Sequence, residues 1–306
     1  MHSDPNLQPY LPEDFDQFWE RVSDEAAKSR LDYARKTQTA HELPGFRIEL
    51  IEFRDVSGGR LQGWIAIPRE RSVRAPAFLW LPPYGRESSL PDEYSTRLGM
   101  VSMSFNFHGY SAFYKTPYSP SEGYFAQGVE DPNTWVFKTM TQNALIAARV
   151  LQAQIEADED RIAAAGLSQG GGMAIWIGAH SKVIRCVAAD LPFLSCMPYV
   201  FSKPVYRYPL KEVTDYAAQI PLGMERAAYT MSYFDTVNHA ARLAKPSLVS
   251  YGLKDPACRP ETVRAVYEAI SAPKRLIEYQ GGHDWDEGMI ATNRDWMLEK
   301  MNGMRP

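Results

Sequence analysis

Cysteine is scarce. Only Cys186, Cys196 and Cys258 occur in 306 residues, and none stands at the short spacing of a zinc ligand pair or a redox motif, so a disulfide framework and a structural metal site are excluded. All three read as small buried hydrophobes. No apolar run approaches the ~20 residues of a membrane span. The amino terminus carries no basic segment followed by an apolar stretch, so no secretory signal is visible. An excess of one charge is also missing: 33 Lys and Arg face 37 Asp and Glu, a net charge of -4. Such a balance gathers neither nucleic acid nor an anionic membrane. There is no internal period and no low-complexity stretch. The expectation is a cytoplasmic protein, unless a signal has been trimmed, with no nucleic-acid or membrane partner. What remains is an ordinary globular composition, 45% hydrophobic, 12% aromatic and 23% charged, which suits one enzyme-sized domain over residues 1–306.

Phe15, Phe18, Trp19 and Val22 recur at i, i+3, i+4 and i+7 behind the acidic start Glu13-Asp14. This predicts an amphipathic helix over about 13–29, its aromatic stripe on the main body. Residues 46–54 and 61–67 read as a hairpin around a turn-rich connection. The rhythm then becomes strand, loop, helix. Strands are expected at 77–81, 101–107, 162–165, 186–191, 246–251 and 275–279, with helices at 140–154, 170–179 and from about 261. This alternation specifies an α/β fold, a mostly parallel central sheet with helices on both faces. Residues 192–235, rich in Tyr and Pro, are too long for a plain connection and are expected to fold as helices over the carboxyl edge of the sheet.

Gly166-Leu167-Ser168-Gln169-Gly170 matches Gly-x-Ser-x-Gly, which chance would produce in roughly one such chain in ten. Its position between a short apolar strand and a small-residue helix is the context a nucleophile elbow requires. A serine hydroxyl needs a base to take its proton, and the base needs a carboxylate to fix its tautomer. In this architecture the acid and the histidine follow late strands in that order. Asp255 follows the strand ending at Tyr251, and His283 follows the strand ending at Tyr279. The catalytic candidates are therefore Ser168, Asp255 and His283.

The oxyanion formed by attack on a carbonyl needs two backbone N–H donors, one of them from the residue after the nucleophile, here Gln169. The other must come from the loop after an early strand. In Leu81-Pro82-Pro83-Tyr84 the prolines have no N–H, which leaves Tyr84. His2, His41, His180 and His239 read as surface or packing residues. His108 follows a sheet strand and joins Tyr110 and Pro192 as candidate substrate-binding residues. Asp284, Asp286 and Glu287 read as a solvated helix start favoured by the helix dipole rather than as metal ligands.

Pro12-Glu-Asp-Phe-Asp-Gln-Phe-Trp19, the elbow, Ser232-Tyr-Phe-Asp-Thr-Val-Asn238 and Val249-Ser-Tyr-Gly-Leu-Lys-Asp255 together resemble the acetyl xylan esterase and cephalosporin C deacetylase group of carbohydrate esterases. The resemblance runs over residues 12–298. It implies a single α/β-hydrolase domain with the triad and oxyanion donors just named, assembled as a ring-like hexamer whose active sites face an internal cavity. Departures occur at His108-Gly109-Tyr110, where the family has Arg-Gly-Gln, at His283-Asp284, where it has His-Glu, and in the Pro82-Pro83 pair.

The sequence therefore reads as a serine esterase hydrolysing short acyl esters of sugars or other small alcohols through an acyl-enzyme, with no metal or organic cofactor. The rivals are a broader carboxylesterase or peptidase on the same fold, and a catalytically silent binding protein. As a homo-oligomer, it would use the aromatic first helix and residues 110–135 as interface material.

Overall fold

The computed structural model describes residue 4 and residues 7–70 and 74–303; His2 lies outside them. The aromatic stripe becomes the buried face of α1 (Phe15–Lys28), where Phe15, Phe18, Trp19 and Val22 are at most 1% exposed. Each such side chain contributes roughly 1.5–3 kcal/mol on burial. The Trp19 indole also donates to the Tyr233 carbonyl at 2.7 Å, which pins the helix to the end of the 192–235 insertion.

Among the described residues the strands are β1 (Tyr33–Thr37), β2 (Phe46–Arg54), β3 (Arg60–Pro68), β4 (Ala75–Leu81), β5 (Val101–Phe105), β6 (Ala157–Leu167), β7 (Cys186–Asp190), β8 (Ser247–Gly252) and β9 (Lys274–Tyr279). They form one sheet in the order β1-β2-β3-β5-β4-β6-β7-β8-β9. The pairings among β1, β2, β3 and β5 are antiparallel, and the rest are parallel. Every residue of β4, β5, β7 and β8 is buried, as strands covered by helices on both faces must be. The edge strands β1 and β9 alternate or stay open to solvent.

The helices that cover the sheet include α2 (Val136–Gln152), α3 (Gln169–His180), α8 (Pro260–Ala269) and α9 (Glu287–Asn302). Residues 192–235 fold mainly as α4 (Met197–Phe201), α5 (Leu210–Ala217) and α6 (Gly223–Ser232), followed by the short α7 (Thr236–Ala240). Asp235 closes this insertion. Its buried carboxylate accepts from the Cys196, Met197 and Val237 amides, and burial still pushes its pKa up to about 6.

Several expectations need correction. β1 was not foreseen, β5 stops at Phe105, and β6 begins at Ala157. Part of the aromatic material expected at an interface is buried inside the chain: besides the α1 stripe, Tyr124, Phe125 and Trp135 of the 110–135 segment are at most 1% exposed, while Tyr110 and Tyr118 of that segment stay exposed. The rings of Phe125 and Trp135 pack on Phe137 of α2 and on Phe234 at the end of the insertion.

Candidate active site

Ser168 connects β6 to α3 with φ 57° and ψ -116°, a conformation that costs a non-glycine residue on the order of 1–3 kcal/mol. The turn is tight because strand and helix nearly touch. A Cβ on Gly170 would lie 1.9 Å from the Leu81 carbonyl oxygen, and one on Gly166 would lie 2.4 Å from the Gly170 carbonyl carbon. Hydrogen bonds hold the strained residue: its N–H donates to the Asp190 carbonyl at 2.9 Å, and its own carbonyl accepts from Gly172 and Phe193 at 3.0 Å each.

The loops after β8 and β9 bring the partners in. Leu253 and Lys254 donate to the carbonyls of Tyr279 and Gly281 at 2.9 Å each, so the Asp255 and His283 loops are laced together. His283 Nε2 stands 2.9 Å from Ser168 Oγ, and His283 Nδ1 stands 2.8 Å from Asp255 Oδ2. The Asp255 side chain is fully buried, and that of His283 is 29% exposed. Asp255 Oδ1 accepts from the amides of Ala257 at 2.7 Å and Cys258 at 2.9 Å, which leaves Oδ2 for the imidazole. Such a line can draw a proton from the hydroxyl and stabilise the imidazolium that results.

Gln169 and Tyr84 meet through Tyr124. The Tyr84 and Tyr124 rings stack at 4.3 Å, and the Tyr124 hydroxyl donates to Gln169 Oε1 at 2.9 Å. His108 stands behind this pair, its ring 4.3 Å from Tyr124. Burial, and then the Arg86 charge, push its pKa down to about 4, so it is neutral. Tyr110 is partly exposed and stacks on Tyr114 at 4.2 Å, while Pro192 follows β7 and offers its carbonyl to Ser195. The structure brings Ser168, Asp255 and His283 into one hydrogen-bonded line; the Tyr110 ring packs on Tyr114.

Three residues near the line were not singled out for the site by the sequence reading. Cys258 is buried against Asp255 and Ser168, and burial pushes its thiol well above the ordinary range. Among the described residues, Asp255, Cys258 and His283 are also the grouping with metal-type donor atoms, all within 4.8 Å, but the carboxylate and imidazole are already engaged with each other. Trp285, two residues past His283, stacks on Trp80 at 5.4 Å. It borders a cleft of about 160 Å³ that Pro82, Pro83 and Tyr84 line on the other side. Glu212 of α5 accepts from Tyr84. Trp285 had a signal in its position beside His283. Glu212 had none, because its partners lie 94 or more residues away for Tyr84 and Tyr118.

The model of the family described as acetyl xylan esterase matches residues 6–298. The acetyl esterase Axe7A of Xylanibacter ruminicola is 25% identical over 306 aligned residues, covering 95% of this chain and 68% of that protein. Two solved structures superpose with a TM-score of 0.83. The acetyl xylan esterase from Paenibacillus sp. R4 is 21% identical, with 99% of each chain covered. Acetyl xylan esterase 1 from Thermoanaerobacterium sp. JW/SL YS485 is 25% identical, with 96% of this chain and 95% of that one covered. An acylaminoacyl peptidase of Pyrococcus horikoshii shares the fold at a TM-score of 0.61 and 16% identity, over 85% of this chain and 41% of that one. The architecture is the α/β-hydrolase fold.

Proposed function

The chain belongs to the acetyl xylan esterase family, and from that premise we propose that it removes acetyl groups from sugars with Ser168 as nucleophile, His283 as general base and acid, and Asp255 as the residue that orients His283. It is a carboxylic ester hydrolase. The observation that carries the assignment of residues is the line in which His283 bridges Ser168 at 2.9 Å and Asp255 at 2.8 Å at a strained strand-to-helix turn.

In the first half-reaction Ser168 Oγ attacks the ester carbonyl while His283 Nε2 takes its proton. The backbone N–H groups of Tyr84 and Gln169 receive the oxyanion. His283 then protonates the departing sugar oxygen, so the sugar leaves as an alcohol and the acetyl group stays on Ser168. In the second half-reaction water gives a proton to His283 as its oxygen attacks the acyl-enzyme, and His283 returns that proton to Ser168 Oγ as acetate leaves. The sugar enters the cleft between the Pro82-Pro83-Tyr84 loop and Trp285, with His108 backing the loop through Tyr124; neither Tyr110 nor Pro192 lines this cleft.

A homo-oligomer belongs to the same reading. It is supported by large apolar side chains left in solvent on the amino-terminal segment and the insertion, among them Tyr10, Leu11, Tyr206, Leu222 and Tyr229.

The test is a hydrolysis screen over acyl length on sugar and aryl alcohols, with amide substrates alongside, for the wild type and Ser168→Ala. The reading expects acetyl esters to be cleaved fastest and Ser168→Ala to lose at least ~10³-fold in kcat. Activity retained in Ser168→Ala, or amides cleaved faster than esters, would overturn it.

A further inference from the structure

Glu212 is the only carboxylate that reaches the loop carrying Tyr84 from the insertion, among the described residues. Its Oε1 accepts from the hydroxyls of Tyr84 at 2.7 Å and Tyr118 at 2.8 Å, and its Oε2 accepts from the Phe125 amide at 2.8 Å. No Lys or Arg pairs with it among the described residues, so neutral donors alone satisfy a full negative charge. Hydrogen bonds to an ionised acceptor are roughly twice as strong as neutral ones, which suits a clamp. Room for the carboxylate comes from Gly123, where a Cβ would lie 2.2 Å from the Glu212 carboxyl carbon.

The bonds continue inward. The Tyr84 hydroxyl, while donating to Glu212, accepts from the Tyr124 amide at 3.0 Å. The Tyr124 hydroxyl accepts from the Gly85 amide at 3.2 Å and donates to Gln169 Oε1 at 2.9 Å. One carboxylate on α5 is thus connected, through two stacked tyrosines, to both residues read as the oxyanion donors. Burial and Glu212 together push the Tyr84 phenol upward, so it remains a donor throughout the working range.

We propose that Glu212 is a positioning residue for the oxyanion hole, fixing Tyr84 and, through Tyr124, Gln169, so that the insertion contributes to transition-state stabilisation and not only to substrate entry. The proposal rests on the reading of Tyr84 and Gln169 as the oxyanion donors. Loss of a whole donor costs ~10²–10³ in kcat. A donor that is present but loosened should cost less, ~10–100-fold.

The experiment compares wild type, Glu212→Gln, Glu212→Ala, Tyr84→Phe and the double variant Glu212→Ala/Tyr84→Phe on p-nitrophenyl acetate, together with binding of a boronic acid that forms a tetrahedral adduct on the serine. Glu212→Gln keeps an oxygen for Tyr84 but turns an amide group toward the Phe125 N–H. The proposal expects kcat to fall ~10–100-fold in Glu212→Ala, and less in Glu212→Gln, with KM within about threefold. Boronate affinity should fall in step with kcat/KM, and the double variant should lose no more than the worse single. Should Glu212→Ala not fold, Glu212→Gln and Tyr84→Phe carry the same comparison. Unchanged kcat in both Glu212 variants, or a rise in KM alone, would overturn the proposal. If instead the wild type fails to cleave acetyl esters and takes no fluorophosphonate label, the esterase reading itself fails, which is a separate result.

Discussion

Replacing Asp255 by Asn changes one atom, and the structure says which. Asp255 Oδ1 accepts two backbone N–H groups, from Ala257 and Cys258. An amide nitrogen cannot accept, so the Asn oxygen must take that position and its NH2 must face His283 Nδ1. Facing a donor, Nδ1 becomes an acceptor and the ring proton moves to Nε2. Nε2 is the atom 2.9 Å from Ser168 Oγ, where it would now donate and could no longer take the serine proton. The base is present but in the wrong tautomer, for which triads of this kind lose ~10⁴-fold in kcat. At 1.36 kcal/mol per decade this is about 5.4 kcal/mol of barrier. The fold should survive, because both backbone bonds to the loop are kept. The assay is kcat on p-nitrophenyl acetate, with Tm as control and the rate of fluorophosphonate labelling as a second readout of serine nucleophilicity. A variant with Tm within a few degrees and activity within tenfold of wild type would refute the assignment of Asp255 and the tautomer argument with it.

Gly170→Ala should fail for a steric reason, because its Cβ would sit 1.9 Å from the Leu81 carbonyl oxygen and neither backbone can yield cheaply; overpacking of ~3 kcal/mol or more should lower Tm by more than about 5 °C, and an unchanged Tm would show the elbow to be looser than described. Acid should weaken the fold between about pH 6.5 and 4. His108 and His180 are pushed down to about 4, and His239 well below its ordinary value, each chiefly by burial. In that window the unfolded chain binds protons that the folded one refuses, so stability falls as pH falls. Asp235, pushed up to about 6, has the opposite sign and offsets part of the loss. Unfolding free energies from urea titrations between pH 7 and 4.5 should therefore decline by on the order of a few kcal/mol, less so in His239→Gln if that variant folds; a flat profile would refute the buried-histidine account. In the acyl-length screen acetyl esters on small soluble alcohols should be best. Higher kcat/KM for octanoyl than for acetyl esters would refute a small acyl pocket, given that each misfitting methylene is worth ~1–3 kcal/mol.

The parallel half of the sheet could be read from the chain because strands buried on both faces leave uninterrupted apolar runs, as in 77–81 and 186–190. β1 could not. Tyr-Ala-Arg-Lys-Thr has no apolar face, and it becomes a strand because Arg35 pairs with Glu49 and Glu156 at 2.8 and 2.7 Å, partners more than a dozen residues away in sequence. β6 was read four residues long because its first part, Asp158-Glu159-Asp160-Arg161, is polar. There, too, an ion pair between Arg161 and Asp158 at 2.7 Å replaces the apolar signal. The aromatic stripe of α1 carried its periodicity but not its partner: the same pattern suits a protein core or an interface, and only the fold assigns Trp19 to the space beside Trp176, His180 and His239.

The site divides along the same line. Ser168, Asp255 and His283 were legible because each follows a strand in a fixed order, and strand ends are local features of sequence. The tyrosines of the insertion follow a different logic, since a ring can stack on a sugar or pack the insertion, and packing is the commoner role for any one of them. In the structure Tyr199 donates to Glu261 at 2.7 Å, Tyr208 to Asp215 at 3.2 Å, and Tyr229 and Tyr233 share a bond of 2.9 Å, so their hydroxyls tie the insertion to itself and to the body. Glu212 shows why such residues stay hidden. In sequence it is one acidic residue between a lysine and a valine on a short helix, where a solvated carboxylate is the default. Its three donors arrive from residues 84, 118 and 125, which come together only after the loop behind β4 and the 110–135 segment have both packed. A residue whose work is to fix the relation between two distant loops can have no local signature, because the relation does not exist until the chain has folded.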